Sequence, residues 1–523
     1  IKKIRLADGK KDYKTYAEIE SEAVIEYNII SGGAGNTRNY GIYTDDEWGP
    51  RIIKDNYIYG NYGEALENSV SILNDDANTV IINNMIHPGN AAYFTVGISI
   101  QGGDIWIENN QISKTSSELA SAGINIDASD IGRGLPVVII NNSGKGTIWD
   151  NRAEDGYQER EISYYIDSDN GGGISVGIFI TESNNNVIID NNIIKTYRSG
   201  DNPYGDLEAF IGHKGGSYGM MCYETKATIT NNIIYNGVSI GELCMGLYSV
   251  SGSDLYIACN KIYGGLAGSN NSYGINIDYS LEEGKADIIN NMIFSGIASD
   301  DTYGINTVNF NGKIVNNTIT TGLNMTGDSV CINNDASNPS MITNNILYSG
   351  FKTIDGFPID KYGIRNLNGS IPAETKNNNF YLANGEQNIL IDGGYDMSNF
   401  NDDDNINIDP KYSIVVLLNE LIDELDTDYL DEETGDFYAN NINSIELYKY
   451  ITSINFPLQS NTSDDIIYGG LNGYEEEWMD WFPTKEENGE HIAIDYEEEA
   501  RPLNDPANPS AVKWSMGADE YNK

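Results

Sequence analysis

The stretch NGKIVNNTITTG, residues 311–322, contains the phrase that decides the fold. Its centre is an asparagine, here Asn317, set between short apolar segments. The same phrase returns as NTVIINNMIHPG (78–89), KATITNNIIYNG (226–237), ADIINNMIFSG (286–296) and PSMITNNILYSG (339–350). A short phrase that returns along a chain indicates a repeat architecture.

Twelve asparagines occupy the same place in the phrase. They are Asn28, Asn56, Asn84, Asn110, Asn142, Asn192, Asn232, Asn260, Asn291, Asn317, Asn345 and Asn378. Most lie 26 to 33 residues apart, and two intervals, of 50 and 40 residues, are longer. Asparagines at one fixed turn of stacked coils can hydrogen-bond along the stack through their amides. We therefore predict a structural asparagine ladder.

A second phrase, such as YGIYT or AGINI, falls between the asparagines and centres on a glycine. Its positions are Gly41, Gly97, Gly123, Gly177, Gly219, Gly246, Gly274, Gly304 and Gly363, with Ser69 and Cys331 in the two remaining slots. Glycine at such a position indicates either a positive φ or a close approach of the backbone.

Each repeat contains at least two short strands with apolar residues at every second position, and no amphipathic helix. Such short strands cannot bury an apolar face alone. Parallel pairing with the coils above and below builds one continuous core. The sequence predicts an all-β fold: a right-handed parallel β-helix, or β-solenoid, of about 12 coils, followed by a mixed C-terminal capping region.

These coils resemble the right-handed parallel β-helix proteins of the pectate-lyase-like superfamily. The ending IDYEEEARPLNDPANPSAVKWSMGADEY resembles the "GADEY" ending of exported bacterial and archaeal β-helix proteins. The superfamily includes polysaccharide lyases, glycoside hydrolases, adhesins and surface or filament components, so the resemblance implies an extracellular or cell-surface location but no single activity.

The composition excludes two classes of partner. Lys and Arg number 31 and Asp and Glu 78, which gives a net charge of −47. Such a surface repels nucleic acid and anionic membranes. No apolar run is long enough to span a bilayer. We expect neither nucleic-acid binding nor a membrane span.

The repeat divides the chain into three parts. Residues 1–22 form a lead-in or cap remnant, 23–385 the β-helix with insertions near 143–173 and 193–216, and 386–523 an acidic capping or assembly region. The four cysteines fall in different columns of the repeat, which predicts free, buried thiols.

The two insertions occupy the same half of consecutive coils, so we expect them to emerge side by side on one face. Function concentrates where a repeat is broken. A lyase would need a base near a group that neutralises a uronate, and a hydrolase would need paired carboxylates. The catalytic candidates in the insertions are Arg160, Arg198, His213 and Lys214.

Aromatic residues supply the candidate glycan or assembly contacts. They are Tyr164, Tyr165, Tyr197, Trp478 and Trp481. Tyrosine and tryptophan serve sugar stacking, subunit contacts and the packing of a cap, and the sequence leaves these uses open.

Acidic runs supply candidate metal ligands. These are Asp167 and Asp169 in the first insertion, and Asp402, Asp404, Asp426 and Asp428 near the C-terminus. Alternating oxygen ligands suit Ca²⁺, but solvated acidic runs have the same composition. No cofactor is required for the predicted function, and Ca²⁺ is the cation that these ligands could hold.

Two functional hypotheses follow. The first is an extracellular structural or adhesive scaffold, a self-assembling surface, filament or sheath component that contacts itself, other surface components or a polysaccharide. The alternative is a secreted polysaccharide lyase or glycoside hydrolase that acts on the insertion face. We prefer the first because no compact acid–base motif marks an active site.

Overall fold

The computed structural model describes most residues between 24 and 381. The gaps of three or more residues are 34–36, 46–50, 61–63, 128–136, 151–157, 169–172, 183–185, 200–215, 240–242 and 350–360, and beyond 381 only the backbone of four short strands is described. The described residues form a parallel β-solenoid and contain no helix. The all-β solenoid prediction is confirmed. Its right-handed sense stays a prediction.

Two compact units make up the chain. Unit 1 comprises residues 1–228 and 232–243, and unit 2 comprises 229–231 and 244–523. In each unit, one turn of the solenoid contains three main strands, which belong to sheets 1, 2 and 3 in chain order.

Sheet 1 contains the strand that precedes each ladder asparagine. In unit 1 its strands are Val24–Glu26, Arg51–Lys54, Thr79–Ile82, Ile105–Glu108, Val137–Ile140 and Asn186–Asp190. In unit 2 they are Asp254–Ala258, Lys285–Ile289, Gly312–Val315, Met341–Thr343 and Thr375–Lys376. The strand Lys226–Thr230 contains the boundary between the units.

Sheet 2 contains the strand that follows each ladder asparagine. In unit 1 its strands are Ile29–Ser31, Tyr57–Tyr59, Met85–His87, Gln111–Ile112, Tyr165–Ser168, Ile193–Thr196 and Ile233–Tyr235. In unit 2 they are Lys261–Tyr263, Met292–Phe294, Thr318–Thr320, Ile346–Tyr348 and Asn379–Tyr381.

Sheet 3 contains the longest strands, of seven or eight residues. In unit 1 they are Arg38–Asp45, Asn68–Asp75, Phe94–Gln101, Ala120–Asp127, Ile174–Thr181 and Gly216–Tyr223. In unit 2 they are Ser272–Asp278, Thr302–Val308, Ser329–Asp335 and Lys361–Leu367, and Leu243–Val250 begins at the unit boundary.

Short strands complete the described structure. Minor parallel strands are Glu64–Ala65, Gly89–Ala91, Thr115–Ser117, Arg198–Ser199, Val238–Ser239, Leu266–Ala267, Ile297–Ala298 and Leu323–Asn324. Antiparallel pairs are Lys145–Asp150 with Gln158–Ser163, Thr484–Glu487 with Glu490–Ala493, and Leu503–Asn504 with Val512–Lys513.

The predicted coil count is too high. The structure has about nine complete turns, not about 12. In a complete turn, each of the three main strands pairs with a strand on both sides. The prediction counted every ladder asparagine as one coil. Among the described residues, the first strand of each sheet is an edge strand, and no described long strand follows Asn378.

The Asn-Asn pair forms the corner between sheets 1 and 2. Its first residue adopts a left-handed backbone, with φ of 54° at Asn83, 58° at Asn316 and 62° at Asn344. Asparagine tolerates this region better than most residues. The second residue is fully buried and points its amide along the stack, as at Asn84 and Asn317.

The ladder amides link consecutive turns. Both the backbone N–H and the Nδ2 group of Asn84 donate to Oδ1 of Asn110, at 3.0 and 3.1 Å. The Asn84 Nδ2 group also donates to the carbonyls of Ile53 and Ile82. Described bonds of this kind join Asn28 through to Asn232 in unit 1 and Asn260 through to Asn378 in unit 2.

The glycine column is explained by close approach. At Gly97 a Cβ atom would lie 2.5 Å from the Gly123 carbonyl oxygen and 2.5 Å from the Ile112 side chain of sheet 2. The sheet register puts Ser71, not Ser69, in the second slot, so that placement is wrong; Cys331 does occupy its predicted slot.

The core lies between the three sheets. Inward isoleucines such as Ile42, Ile53 and Ile58 are fully buried, and the same columns continue through each unit. All four cysteines are free and buried, which confirms that prediction. The proposed C-terminal capping region, 386–523, lies almost entirely outside the described residues.

Candidate functional site

The first predicted insertion folds as an antiparallel hairpin. Strands Lys145–Asp150 and Gln158–Ser163 pair through six residues, with Arg160 opposite Ile148. The hairpin turns back against sheet 2, because Ile162 and Tyr164 pack with Tyr57 and Met85. The Tyr164 hydroxyl donates to Oδ1 of Asn83 at 2.6 Å. Tyr164 is therefore a buried anchor of the insertion.

Tyr165, the next residue, lies in sheet 2. Its hydroxyl accepts a hydrogen bond from Nε2 of Gln111 at 2.7 Å, in the neighbouring turn. The Lys195 ammonium lies 5.2 Å from the centre of its ring, within cation–π range. The structure thus gives Tyr164 and Tyr165, which the sequence treated alike, different roles.

An outward-facing column follows from the period of sheet 2. In the six strands from Tyr57–Tyr59 to Ile233–Tyr235, one isoleucine, such as Ile86 or Ile166, points inward and is fully buried, so the next residue points outward. The resulting column, which we call the outward ladder, contains Tyr59, His87, Ser113, Asp167, Lys195 and Tyr235. All six lie in unit 1, one on each of six successive turns.

The first half of the outward ladder combines aromatic and hydrogen-bonding groups. The rings of Tyr59 and His87 stack, with centroids 5.2 Å apart and planes 16° apart. The Ser113 hydroxyl is hydrogen-bonded to Nδ1 of His87 and lies 3.2 Å from the Ile86 carbonyl. All three side chains are half-buried. A ring face with adjacent polar atoms can contact the apolar and hydroxyl-bearing faces of a sugar.

The second half carries opposite charges. Asp167 is 2% exposed and lies directly beside Lys195 in the sheet register. Burial lowers the pKa of the Lys195 ammonium, and the Asp167 carboxylate opposes that shift. Burial also raises the pKa of the Tyr165 hydroxyl, against the effect of the Gln111 hydrogen bond. The pair offers a cation with weakened hydration beside an aromatic ring.

Most of the other predicted site residues cannot be placed. Tyr197, His213, Lys214, Asp169, Asp402, Asp404, Asp426, Asp428, Trp478 and Trp481 lie outside the described residues. The backbone of Arg198 pairs with Val238, and its side chain is not described. The expectation that the two insertions lie side by side concerns residues 200–215, which are also outside.

Sequence reasoning missed most of the outward ladder. Tyr59, His87 and Ser113 lie in ordinary coils, outside the two predicted insertions. Lys195 lies at the start of the second insertion, 193–216, but was not among its predicted site residues. The sequence contains a signal for this column, because Tyr59, His87, Ser113 and Lys195 each lie three residues after a ladder asparagine. Asp167 would occupy the same position if the insertion were removed. Aligning the coils on the asparagine would have shown the column.

Unit 2 holds a separate polar network on sheet 3. Arg365 donates to Asp328 at 2.6 Å, to the Tyr303 hydroxyl at 2.9 Å and to Asn333 at 2.7 Å. Tyr303 stacks on Tyr273, with ring centroids 5.0 Å apart. Because the Arg365 side chain is 11% exposed and its guanidinium donates to three groups within the protein, this network is better suited to stability than to ligand binding.

Two further observations bound the chemistry. In the part of the chain that the structure describes, no group of three or more His, Cys, Asp or Glu side chains could hold a metal ion. The described residues also include no helix with the length and apolar character of a membrane span.

Comparison with models of protein families, with curated proteins and with solved structures found no match.

Proposed function

We propose that the protein is an extracellular structural or adhesive β-solenoid that contacts polysaccharide through the half-buried residues of the outward ladder. The observation that carries the proposal is the alignment of Tyr59, His87, Ser113 and Lys195 at one side-chain position on four of five successive turns. Adjacent strands are about 4.8 Å apart. This spacing is close to the repeat of an extended sugar chain, so one chain could run along the column and contact its half-buried side chains in turn.

The charges favour a glycan that carries isolated carboxylates, one of which contacts Lys195. The chain as a whole is strongly acidic, with a net charge of −47, and would repel a uniformly anionic polymer. Lys195 is partly desolvated, which strengthens any contact that it makes with a single carboxylate. The proposal therefore predicts weak binding that depends on Lys195 and decreases with salt.

The proposed scaffold role is supported by the regular interior of the solenoid. The asparagine ladder satisfies buried amides turn after turn, so rigidity is built in without a cofactor. The resemblance to pectate-lyase-like β-helix proteins and to their GADEY endings supports an exported surface component. Self-association and Ca²⁺ binding at the acidic runs belong to the same proposal.

Cosedimentation with insoluble polysaccharides, followed by calorimetry with soluble fragments, tests the glycan contact. We expect His87→Ala and Lys195→Met each to weaken binding, and the pair to abolish it. Tyr93→Ala is the matched control, because Tyr93 is an aromatic residue in unit 1 that is 45% exposed and lies outside the ladder. Circular dichroism checks that each variant keeps its β structure.

Equal binding by the double variant and the parent chain would contradict the proposed contact. Light scattering and negative-stain imaging, with and without millimolar Ca²⁺, test the scaffold half separately. Filaments, sheets or defined oligomers would support it, and a monomer under every condition would remove self-assembly from the proposal.

One observation favours a second candidate, a secreted polysaccharide lyase or glycoside hydrolase. Burial lowers the pKa of the Lys195 amine, which raises the neutral fraction that could accept a proton from a uronate. Tyr165 and Asp167 lie beside it. A screen of uronate polymers for unsaturated products tests this candidate, with Lys195→Met expected to abolish any activity.

A further inference from the structure

Six asparagines begin the sequence Asn-x-Ser/Thr in which an amide nitrogen can receive an N-linked glycan. They are Asn141, Asn270, Asn316, Asn324, Asn368 and Asn461. The sequence makes these six equivalent, but attachment requires an accessible Nδ2 atom on a surface segment. The structure separates the five that it describes, and Asn461 lies outside the described residues.

Two of the five are closed to modification. Asn316 is fully buried; its Nδ2 group donates to Asn290 at 2.8 Å, and its Oδ1 atom accepts from Asn344. Asn324 is 2% exposed, and its Nδ2 group donates to the Gly327 carbonyl. A glycan on either amide would require the local turn to open.

Two others are half-buried. The Asn141 Nδ2 group donates to the Glu108 carboxylate at 3.1 Å, while its Oδ1 atom accepts from Asn191. Asn270 has its Oδ1 atom occupied by the N–H of Asn271 at 2.9 Å. The Asn141 side chain thus lies against two neighbouring turns. The Asn270 side chain is held against its own turn and is less accessible than an exposed asparagine.

Asn368 differs from all four because it is exposed at the tip of a tight turn. It has a φ of 50°, and the exposed Gly369 has a φ of 80°. The N–H of Ser370 donates to the Leu367 carbonyl at 3.0 Å and closes the turn. A Cβ atom added at Gly369 would meet nothing within 4 Å, so the space around the tip is open. The Asn368 Nδ2 group donates to one surface partner, Asp335.

We propose that Asn368 is an acceptor for an N-linked glycan, an inference that rests on the export implied by the proposed function. The donor is a lipid-linked oligosaccharide diphosphate. The Nδ2 atom of Asn368 bonds to C1 of the first sugar, and the C1–oxygen bond to the diphosphate breaks. The lipid diphosphate leaves with the electron pair, and the amide nitrogen loses one proton.

Mass spectrometry of the full chain tests the proposal after expression in a eukaryotic host with a leader that directs it to the secretory pathway. Retained and secreted fractions are both digested, and glycans are released by an amidase in ¹⁸O water, which marks each modified asparagine as labelled aspartate. We expect Asn368 to have the highest occupancy of the five described sites, and Asn316 and Asn324 to be unmodified.

Matched variants separate the acceptor from the fold. Asn368→Gly keeps the left-handed backbone accessible and removes the acceptor, so the labelled peptide should be lost. Ser370→Thr keeps a hydroxyl and the acceptor sequence, so the label should remain. Asn311→Gly changes an exposed asparagine outside any acceptor sequence and should leave the label unchanged.

An unmodified Asn368 in both fractions would overturn the proposal, and so would higher occupancy at Asn316 or Asn324. Polysaccharide binding is measured separately on chain from a bacterial host, which carries no such glycan. A failure of the outward ladder to bind polysaccharide is therefore distinguishable from a failure of Asn368 to accept a glycan.

Discussion

Asn316 and Asn317 have the same side chain and opposite tasks. Asn316 supplies a left-handed backbone at the corner, with a φ of 58°, and Asn317 supplies buried hydrogen bonds between turns. The Asn317 N–H and Nδ2 groups both donate to Asn345, and Nδ2 also reaches the carbonyls of Ile288 and Val315. Substitutions at the two positions should therefore fail for different reasons.

At the ladder position we expect a large loss of stability. Asn291→Ala removes the bonds of its amide to Ile257, Ile289 and Asn317 and the acceptor for Asn260. Each buried polar group left without a partner costs about 1–3 kcal/mol, so the total should reach at least about 3 kcal/mol. Hydrogen exchange in unit 2 measures it, because stacked repeats can open locally.

The matched control for that substitution is Asn311→Ala, in the same unit but at an exposed position. We expect its exchange pattern to match the parent chain. A ladder variant as protected as this control would show that the amide bonds contribute little to the stack.

At the left-handed position the loss should come from the backbone. Asn109 has a φ of 53°. Asn109→Ala should destabilise unit 1 by about 1 kcal/mol, because a Cβ atom disfavours this region. Asn109→Gly should destabilise it less, since glycine adopts positive φ readily. Thermal unfolding of the two variants side by side measures the difference, and the opposite order would contradict the explanation.

For single residues, the sequence predicted the buried ladder asparagine but not the left-handed backbone of the residue before it. The apolar residues around Asn317 repeat, so its burial could be inferred from the pattern. The backbone conformation of Asn316 could not, because Tyr27 and Cys259 occupy the same left-handed column and lack the short polar side chain that favours this conformation in asparagine.

Among the elements, the hairpin of the first insertion depends on one close contact. A Cβ atom at Gly146 would lie 1.7 Å from the Tyr164 hydroxyl. Gly146→Ala should therefore displace Tyr164 from Asn83 and loosen the packing of Ile162 on Tyr57. We expect faster hydrogen exchange in Gln158–Ser163 with little change in the sheets.

Lys145→Ala, on the same strand but exposed, is the control for this element. It removes only a surface ion pair with Glu161, which is worth little. Equal exchange in the two variants would show that the Gly146 contact does not hold the hairpin.

For the elements, the sequence predicted that the strands exist but only partly predicted their register. Period-two apolar spacing indicated the strands on either side of the asparagine. The Ser69 placement failed because counting from Asn56 assumes loops of equal length, whereas pairing of Tyr40 with Val70 fixes the register two residues later. The hairpin was inferred only as an insertion, since its docking depends on side chains far away in sequence, such as Asn83.

For the whole molecule we expect sensitivity to alkaline pH. Burial raises the pKa of Tyr235 to about 12 and that of Tyr273 to about 12, above the ordinary value near 10. The folded state thus retains a proton that the unfolded state loses. The corresponding stability, roughly 2–3 kcal/mol for each residue, is complete below about pH 10 and is lost as pH rises towards about 12.

Denaturant unfolding at pH 8 and pH 11 measures this dependence. Tyr235→Phe should flatten the slope because it keeps the ring and removes the titrating hydroxyl. Tyr93→Phe, at an exposed position, should leave the slope unchanged. A parent chain equally stable at both pH values would contradict the expectation.

The solenoid itself could be predicted from sequence, and the candidate site largely could not. The fold repeats a local signal many times, so an error in one coil does not change the result. The outward ladder depends on which of two faces each strand presents, which is a register fixed by the stacked isoleucines. Among the predicted site residues, the structure joins Tyr165 and Asp167 through Lys195, which the sequence did not single out.

The bonds of the asparagine ladder also run in one direction. The N–H and Nδ2 groups of Asn28 donate to Asn56, and those of Asn56 donate to Asn84. The acceptor for each turn is therefore supplied by the turn that follows it in the chain. A chain that emerges amino end first, from a ribosome or an export channel, would complete one layer with each arriving asparagine. We expect such a ladder to act as a ratchet, in which every added layer opposes backward sliding of the chain.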